Sequence, residues 1–226
     1  MMPQVAAVPH EDAGPSDVER RAVIADWLAA VFLRPLSAEF IGSLDTGADA
    51  AMLDLIDGDD AFRPGVASMR AALASGGAPA ELERRLATEF TLLFAGAGGP
   101  NTVPPYASAY LSERGSLFQE ATGEMDALLR RHDLAVGDAL REPADHLSIE
   151  LAMLAHLRRL GPSGEADASR LRVHLLAWTP AFSRRCADLD RTGFYAGAAL
   201  LLDALLAAEP ADHAPIRIID PTLCKT

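Results

Sequence analysis

The chain has 226 residues, half of them apolar but only 6% aromatic, and a formal net charge of -12. That length suffices for one sizeable core, and its alanine and leucine favour helix over strand. The charge argues against non-specific binding to nucleic acid, whose phosphates need lysine and arginine. Cys186 and Cys224 make no disulfide framework and no zinc-ligand spacing. No basic-then-apolar segment opens the chain, and the most apolar run, Tyr195 to Ala208, is too short to span a bilayer. A cytoplasmic protein is expected.

Residues 1 to about 15 hold Pro3, Pro9, Gly14 and Pro15 without periodicity and predict a disordered tail. Ser16 and Glu19 have capping-box spacing, and Val18 to Phe32 then traces an amphipathic helix that stops before Pro35. Ser37 caps a second helix closed by Gly47; a third covers Ala48 to Ile56, and a fourth Gly65 to Ala74. Pro79 starts a helix whose buried stripe is Leu82, Leu86, Phe90 and Leu93, ended by the glycines from Gly96 to Gly99. A loop rich in proline and small residues runs from Asn101 to Ser108 and carries Tyr106, with Tyr110 just beyond it.

Glu113 to Ala121 and Gly123 to His132 predict two helices. Pro143 suits the first turn of the next one, with Glu142 and Asp145 placing charge at its N-terminus. Leu147, Leu151, Leu154 and Leu157 form its apolar stripe; His146, Glu150 and Met153 fall on a shoulder, from which they would border a groove. Ala166 to Trp178 is helical, Pro180 opens a separate short segment, and Thr192 caps a last helix from Phe194 to about Ala208. Ile216 to Asp220 alone has strand character. An all-α, single-domain bundle of about nine to eleven helices follows, covering residues 16–208 between the tail 1–15 and a C-terminal tail 209–226.

Glu142, Asp145, His146, Glu150 and His156 offer ligands for a divalent metal, the basis of a metal-dependent hydrolase reading. The spacing opposes it: His156 lies nearly three turns beyond His146, and no HExxH pattern occurs. Ser112 and Ser148 lack a nucleophile-elbow setting, and the glycines after Phe94 follow a helix without a phosphate-binding lysine. No catalytic residue, metal or cofactor is expected. A binding module remains, with Phe90, Phe94, Tyr106 and Tyr110 lining an apolar groove and Glu142 and Asp145 at its mouth.

Three segments occur in order between residues 90 and 147: Phe90-Thr91-Leu92-Leu93-Phe94, Pro104-Pro105-Tyr106-Ala107-Ser108-Ala109-Tyr110 and Glu142-Pro143-Ala144-Asp145-His146-Leu147. Together they resemble the TorD/DmsD family of chaperones dedicated to molybdenum-cofactor oxidoreductases. Ala107 and Ala109 stand where that family often has larger residues. The resemblance implies an all-helical, cytoplasmic, non-enzymatic chaperone. Its partner would be an apo molybdoenzyme, held through a twin-arginine leader until its cofactor is inserted before export. It implies leader contacts at Phe94, Tyr106, Ser108, Tyr110, Glu142, Pro143, Asp145, His146 and Glu150, with Phe90, Leu93 and Leu147 as groove support. A nitrate-reductase-type assembly chaperone for a non-exported molybdoenzyme is the nearest alternative.

Overall fold

The computed structural model describes residues 16–75, 77–111, 120–137 and 140–207. The two tails, residues 112–119 (most of the first helix expected from Glu113) and the strand-like Ile216 to Asp220 therefore lie outside the described residues. Among the described residues ten α-helices are formed: α1 (Asp17–Leu33), α2 (Ala38–Thr46), α3 (Ala48–Asp57), α4 (Arg63–Ala74), α5 (Pro79–Leu93), α6 (Ser108–Leu111), α7 (Glu120–Arg131), α8 (Leu147–Arg159), α9 (Glu165–Leu189) and α10 (Phe194–Ala207). Among the described residues there is no strand, only an isolated bridge between Tyr106 and His146.

The helix ends follow local chemistry. The Ser16 hydroxyl accepts the Glu19 N–H at 3.2 Å, and Ser37 does the same for Phe40 at 3.2 Å, each satisfying one otherwise unpaired donor. Thr192 takes the Phe194 N–H at 3.2 Å, joined by Asp190, whose carboxylate accepts from Ala196 N–H at 2.8 Å. Pro79 sits in the first turn of α5, where a missing N–H costs nothing.

α1 lies along α8, α9 packs beside α8, and α10 is held between α4 and α9. The α4–α10 crossing depends on two glycines. A Cβ at Gly65 would stand 2.7 Å from the Gly197 carbonyl, and one at Gly197 would stand 2.8 Å from the Gly65 carbonyl. Only glycine lets the two backbones approach this closely. Phe32, Phe90, Phe94, Phe182 and Tyr195 meet in the centre, with edge contacts such as Phe90–Phe94 at 5.1 Å and Phe94–Tyr195 at 5.3 Å. Such geometry suits the ring quadrupoles.

Three expectations are corrected here. α9 runs unbroken for 25 residues with Pro180 inside it. Proline removes one intrahelical bond, but Trp178, Phe182 and Cys186 are all buried along the same helix, and that packing outweighs the loss. Ala121, Thr122 and Gly123 lie within one helix, α7, so no break separates them. Finally, α8 starts at Leu147 and not at Pro143, because Pro143 to His146 form a turn closed by His146 N–H to Pro143 C=O at 3.0 Å.

Candidate functional site

The loop before α6 and the turn before α8 are stitched together by backbone. Ala107 N–H reaches the Asp145 carbonyl at 3.0 Å, and Leu147 N–H reaches the Pro105 carbonyl at 2.8 Å. This brings Tyr106 and Ser108 against Glu142, Asp145 and His146, while Tyr110, just beyond, faces α9. Asp145 is completely buried. One carboxylate oxygen accepts the Ser108 N–H, opening α6, at 3.0 Å; the other accepts the Thr122 hydroxyl of α7 at 2.8 Å. It therefore serves a neighbouring helix start and not its own.

The start of α8 is capped by His146. Its Nδ1 accepts the Ser148 N–H at 3.1 Å, so the neutral ring carries its proton on Nε2. Burial holds its pKa down at about 4, against the opposing pull of Glu142 and Asp145. The Tyr106 ring meets the His146 ring edge to face at 5.1 Å, and its hydroxyl donates to Glu142 Oε2 at 2.8 Å. Burial, then that carboxylate, pushes the Tyr106 phenol upward, so it stays a donor.

Glu150 lies one turn into α8 and is also fully buried. Its two oxygens take His174 Nε2 at 2.9 Å and Trp178 Nε1–H at 3.2 Å, both from α9. Burial raises its pKa to about 7, with His174 drawing it back, and the Glu150 hydrogen bond raises that of His174. The Trp178 ring in turn stacks on Tyr110 at 5.3 Å. Glu150 thus fixes the indole against which Tyr110 lies.

The expected site residues accordingly split into two layers. Tyr106, Tyr110, Glu142 and Pro143 are partly exposed. Asp145, His146 (3% exposed) and Glu150 sit beneath them, as do Ser108 and Leu147. Of the shoulder expected for His146, Glu150 and Met153, His146 and Glu150 are covered, with α9 supplying the partners of Glu150, whereas Met153 borders a groove between α1, α7 and α8. Phe90, Leu93 and Phe94 do not line a groove with Tyr106. Phe94, 6% exposed, is ringed by Phe32, Phe90, Phe182 and Tyr195 in the core. Sequence reasoning also missed Thr122, His174 and Trp178. The four-residue spacing of His174 and Trp178, which puts both on one helix face, was the available signal.

Among the described residues no group of three or more His, Cys, Asp or Glu is placed to hold a metal ion. His156 meets the His132 ring at 6.1 Å, away from the His146 cluster. No helix among them is long and apolar enough to cross a membrane.

Residues 58–184 match the family model described as nitrate reductase delta subunit. The chain is 34% identical over 198 residues to Chaperone protein TorD of Vibrio vulnificus, covering 82% of this chain and 91% of that one. It is 31% identical to Chaperone protein TorD of Ferrimonas balearica, covering 84% and 88%. In fold it is similar to a candidate redox enzyme maturation protein from Archaeoglobus fulgidus, with a TM-score of 0.51 at 17% identity over 88% of this chain and 97% of that one. With most of its length matched at this level and the junction of residues 105–108 and 142–147 at its centre, the chain belongs to the family of the nitrate reductase delta subunit and the TorD chaperones.

Proposed function

We propose that this chain is a cytoplasmic, non-enzymatic chaperone. It holds the apo form of a molybdenum-cofactor oxidoreductase, through its twin-arginine leader, until the cofactor is inserted before export. The observation that carries the reading is the junction itself, in a chain of the TorD family. A partly exposed Tyr106–Glu142 pair and Pro143 lie over a buried Asp145, bonded through both oxygens, and a buried His146 that caps α8. A rigid underlayer that presents one carboxylate is suited to recognition and not to turnover.

Glu142 is the accessible anion for a guanidinium, which binds a carboxylate in fork geometry. Asp145, His146 and Glu150 are positioning residues. The charge of -12 draws the two arginines toward the surface. An exposed ion pair contributes only about 0–1 kcal/mol, whereas micromolar affinity needs about 8 kcal/mol. Apolar burial therefore has to supply the larger part, at about 1.5–3 kcal/mol for each fully buried side chain.

Calorimetric titration with synthetic leaders of the molybdoenzymes encoded in the same genome tests the reading. Micromolar binding to one twin-arginine leader identifies the client. Binding only to the N-terminal peptide of a molybdoenzyme that is not exported assigns the protein to nitrate-reductase-type assembly instead. Binding to no peptide refutes leader recognition.

A further inference from the structure

The end of α8 farther from the junction gathers arginines from three helices. Arg159 of α8 pairs with Glu19 at 3.3 Å and with Asp26 at 2.6 Å, so this end lies against the first turns of α1. Arg158 beside it and Arg21 of α1 are both buried, at 8% and 6% exposed. Arg172 of α9 donates through Nε to the Leu206 carbonyl at 2.7 Å and through Nη2 to the Ala207 carbonyl at 3.4 Å. It thereby holds the last turn of α10 at the same corner.

The anions described here do not pair all of these cations. Asp17 is already bonded by Arg20 at 2.6 Å and by Arg21 Nε at 2.7 Å. Nη1 of Arg21 and Nη1 of Arg158 remain, each buried and without a hydrogen-bond partner among the described residues. Burial, then repulsion by Arg21 and Arg172, holds the Arg158 pKa down at about 10, with Asp17 and Glu165 opposing. Leaving a buried guanidinium N–H unpaired is costly, and its planar fork matches a carboxylate or phosphate. In a chain of charge -12, this corner calls for an anion.

The chain itself carries that chemistry within reach. Residues 208–226 follow Ala207 and begin Ala208-Glu209-Pro210-Ala211-Asp212. Glu209 stands two residues beyond a carbonyl bonded to Arg172. Extended chain covers about 3.3–3.6 Å per residue, so Asp212 too lies within about 18 Å of Ala207. Tethering gives these carboxylates an effective concentration of millimolar order, which a free anion seldom matches. We propose that the acidic segment 208–212 docks on this corner, with the carboxylates of Glu209 and Asp212 on the unpaired N–H groups of Arg158 and Arg21. The inference is independent of the leader-binding reading.

The test is a thermal-melting cycle on the full chain at pH 7 and low ionic strength. It compares wild type, Glu209→Gln with Asp212→Asn, Arg158→Met, and all three substitutions together. Neutralising the two carboxylates should lower the wild-type melting temperature by at least about 2 °C and leave that of Arg158→Met unchanged. Arg21→Met provides a second background if Arg158→Met does not fold. An equal loss in every background places the carboxylates elsewhere and overturns the proposal. No loss in wild type, with Arg158→Met melting higher, shows an arginine that nothing pairs, and also overturns it. If the neutralised tail melts like wild type and inorganic phosphate raises both equally, the corner takes a free oxyanion, and the segment is not its occupant.

Discussion

Asp145 and Ser108, 37 residues apart in the chain, are joined by a 3.0 Å bond from the Ser108 N–H to the buried Asp145 carboxylate. Together with the Thr122 hydroxyl on its other oxygen, the bond makes Asp145 the tie between α6, α7 and the start of α8. Its importance is first structural: it holds Tyr106 and Tyr110 where they are.

Asp145→Ala should therefore cost stability before it costs recognition. A buried N–H and a partly buried hydroxyl lose their acceptor, which predicts a loss of about 1–4 kcal/mol by chemical denaturation. Asp145→Asn, which keeps one acceptor oxygen, should recover part of that loss. Equal stability of all three proteins would show that the carboxylate is not the tie.

His146 predicts an acid limb. Its folded pKa, near 4, lies below the ordinary 6.5, so its contribution is complete above pH 6.5 and is lost as pH falls through 4. The physical event is protonation of Nδ1, which ends its acceptance of the Ser148 N–H. The full shift corresponds to about 3 kcal/mol. Denaturation curves from pH 7 to 4 should be flatter in His146→Asn than in wild type.

Glu150 has the opposite sign. Its folded pKa, about 7, lies above the ordinary 4.5, so its contribution is complete below pH 4.5 and lost as pH rises through 7. Glu150→Gln should consequently gain on wild type between those limits, by up to about 3 kcal/mol at pH 8 relative to pH 4.5. A difference between the two proteins that does not change with pH would contradict the burial of a titrating carboxylate.

Trp178→Ala removes both the Tyr110 stacking partner and a donor to Glu150. Loss of a large buried aromatic predicts a destabilisation of about 3–5 kcal/mol. Tyr106→Phe, in contrast, deletes one partly exposed hydroxyl and should cost no more than about 1 kcal/mol in thermal melts.

Much of the helical frame was legible. Ser16, Ser37, Pro79 and Thr192 act through local geometry, and their spacing to the residues they cap is visible in the chain. Pro180 misled because a missing local bond is set against packing of Trp178, Phe182 and Cys186, which only the assembled bundle reveals. The pairing of Tyr106 with Glu142 was within reach of the motifs, but depth was not. Spacing places Glu150 on a face of α8, whereas its burial depends on His174 and Trp178, 24 and 28 residues away. Phe94 misled for the same reason: its stripe marks a buried side without distinguishing core from groove.

The most direct test of the account is a titration cycle on one twin-arginine leader and its twin-lysine counterpart, against wild type and Glu142→Gln. The account predicts that wild type prefers arginine about threefold, and that Glu142→Gln lowers arginine-leader affinity to the lysine level while its melting temperature holds. An arginine preference that survives Glu142→Gln undiminished would contradict it.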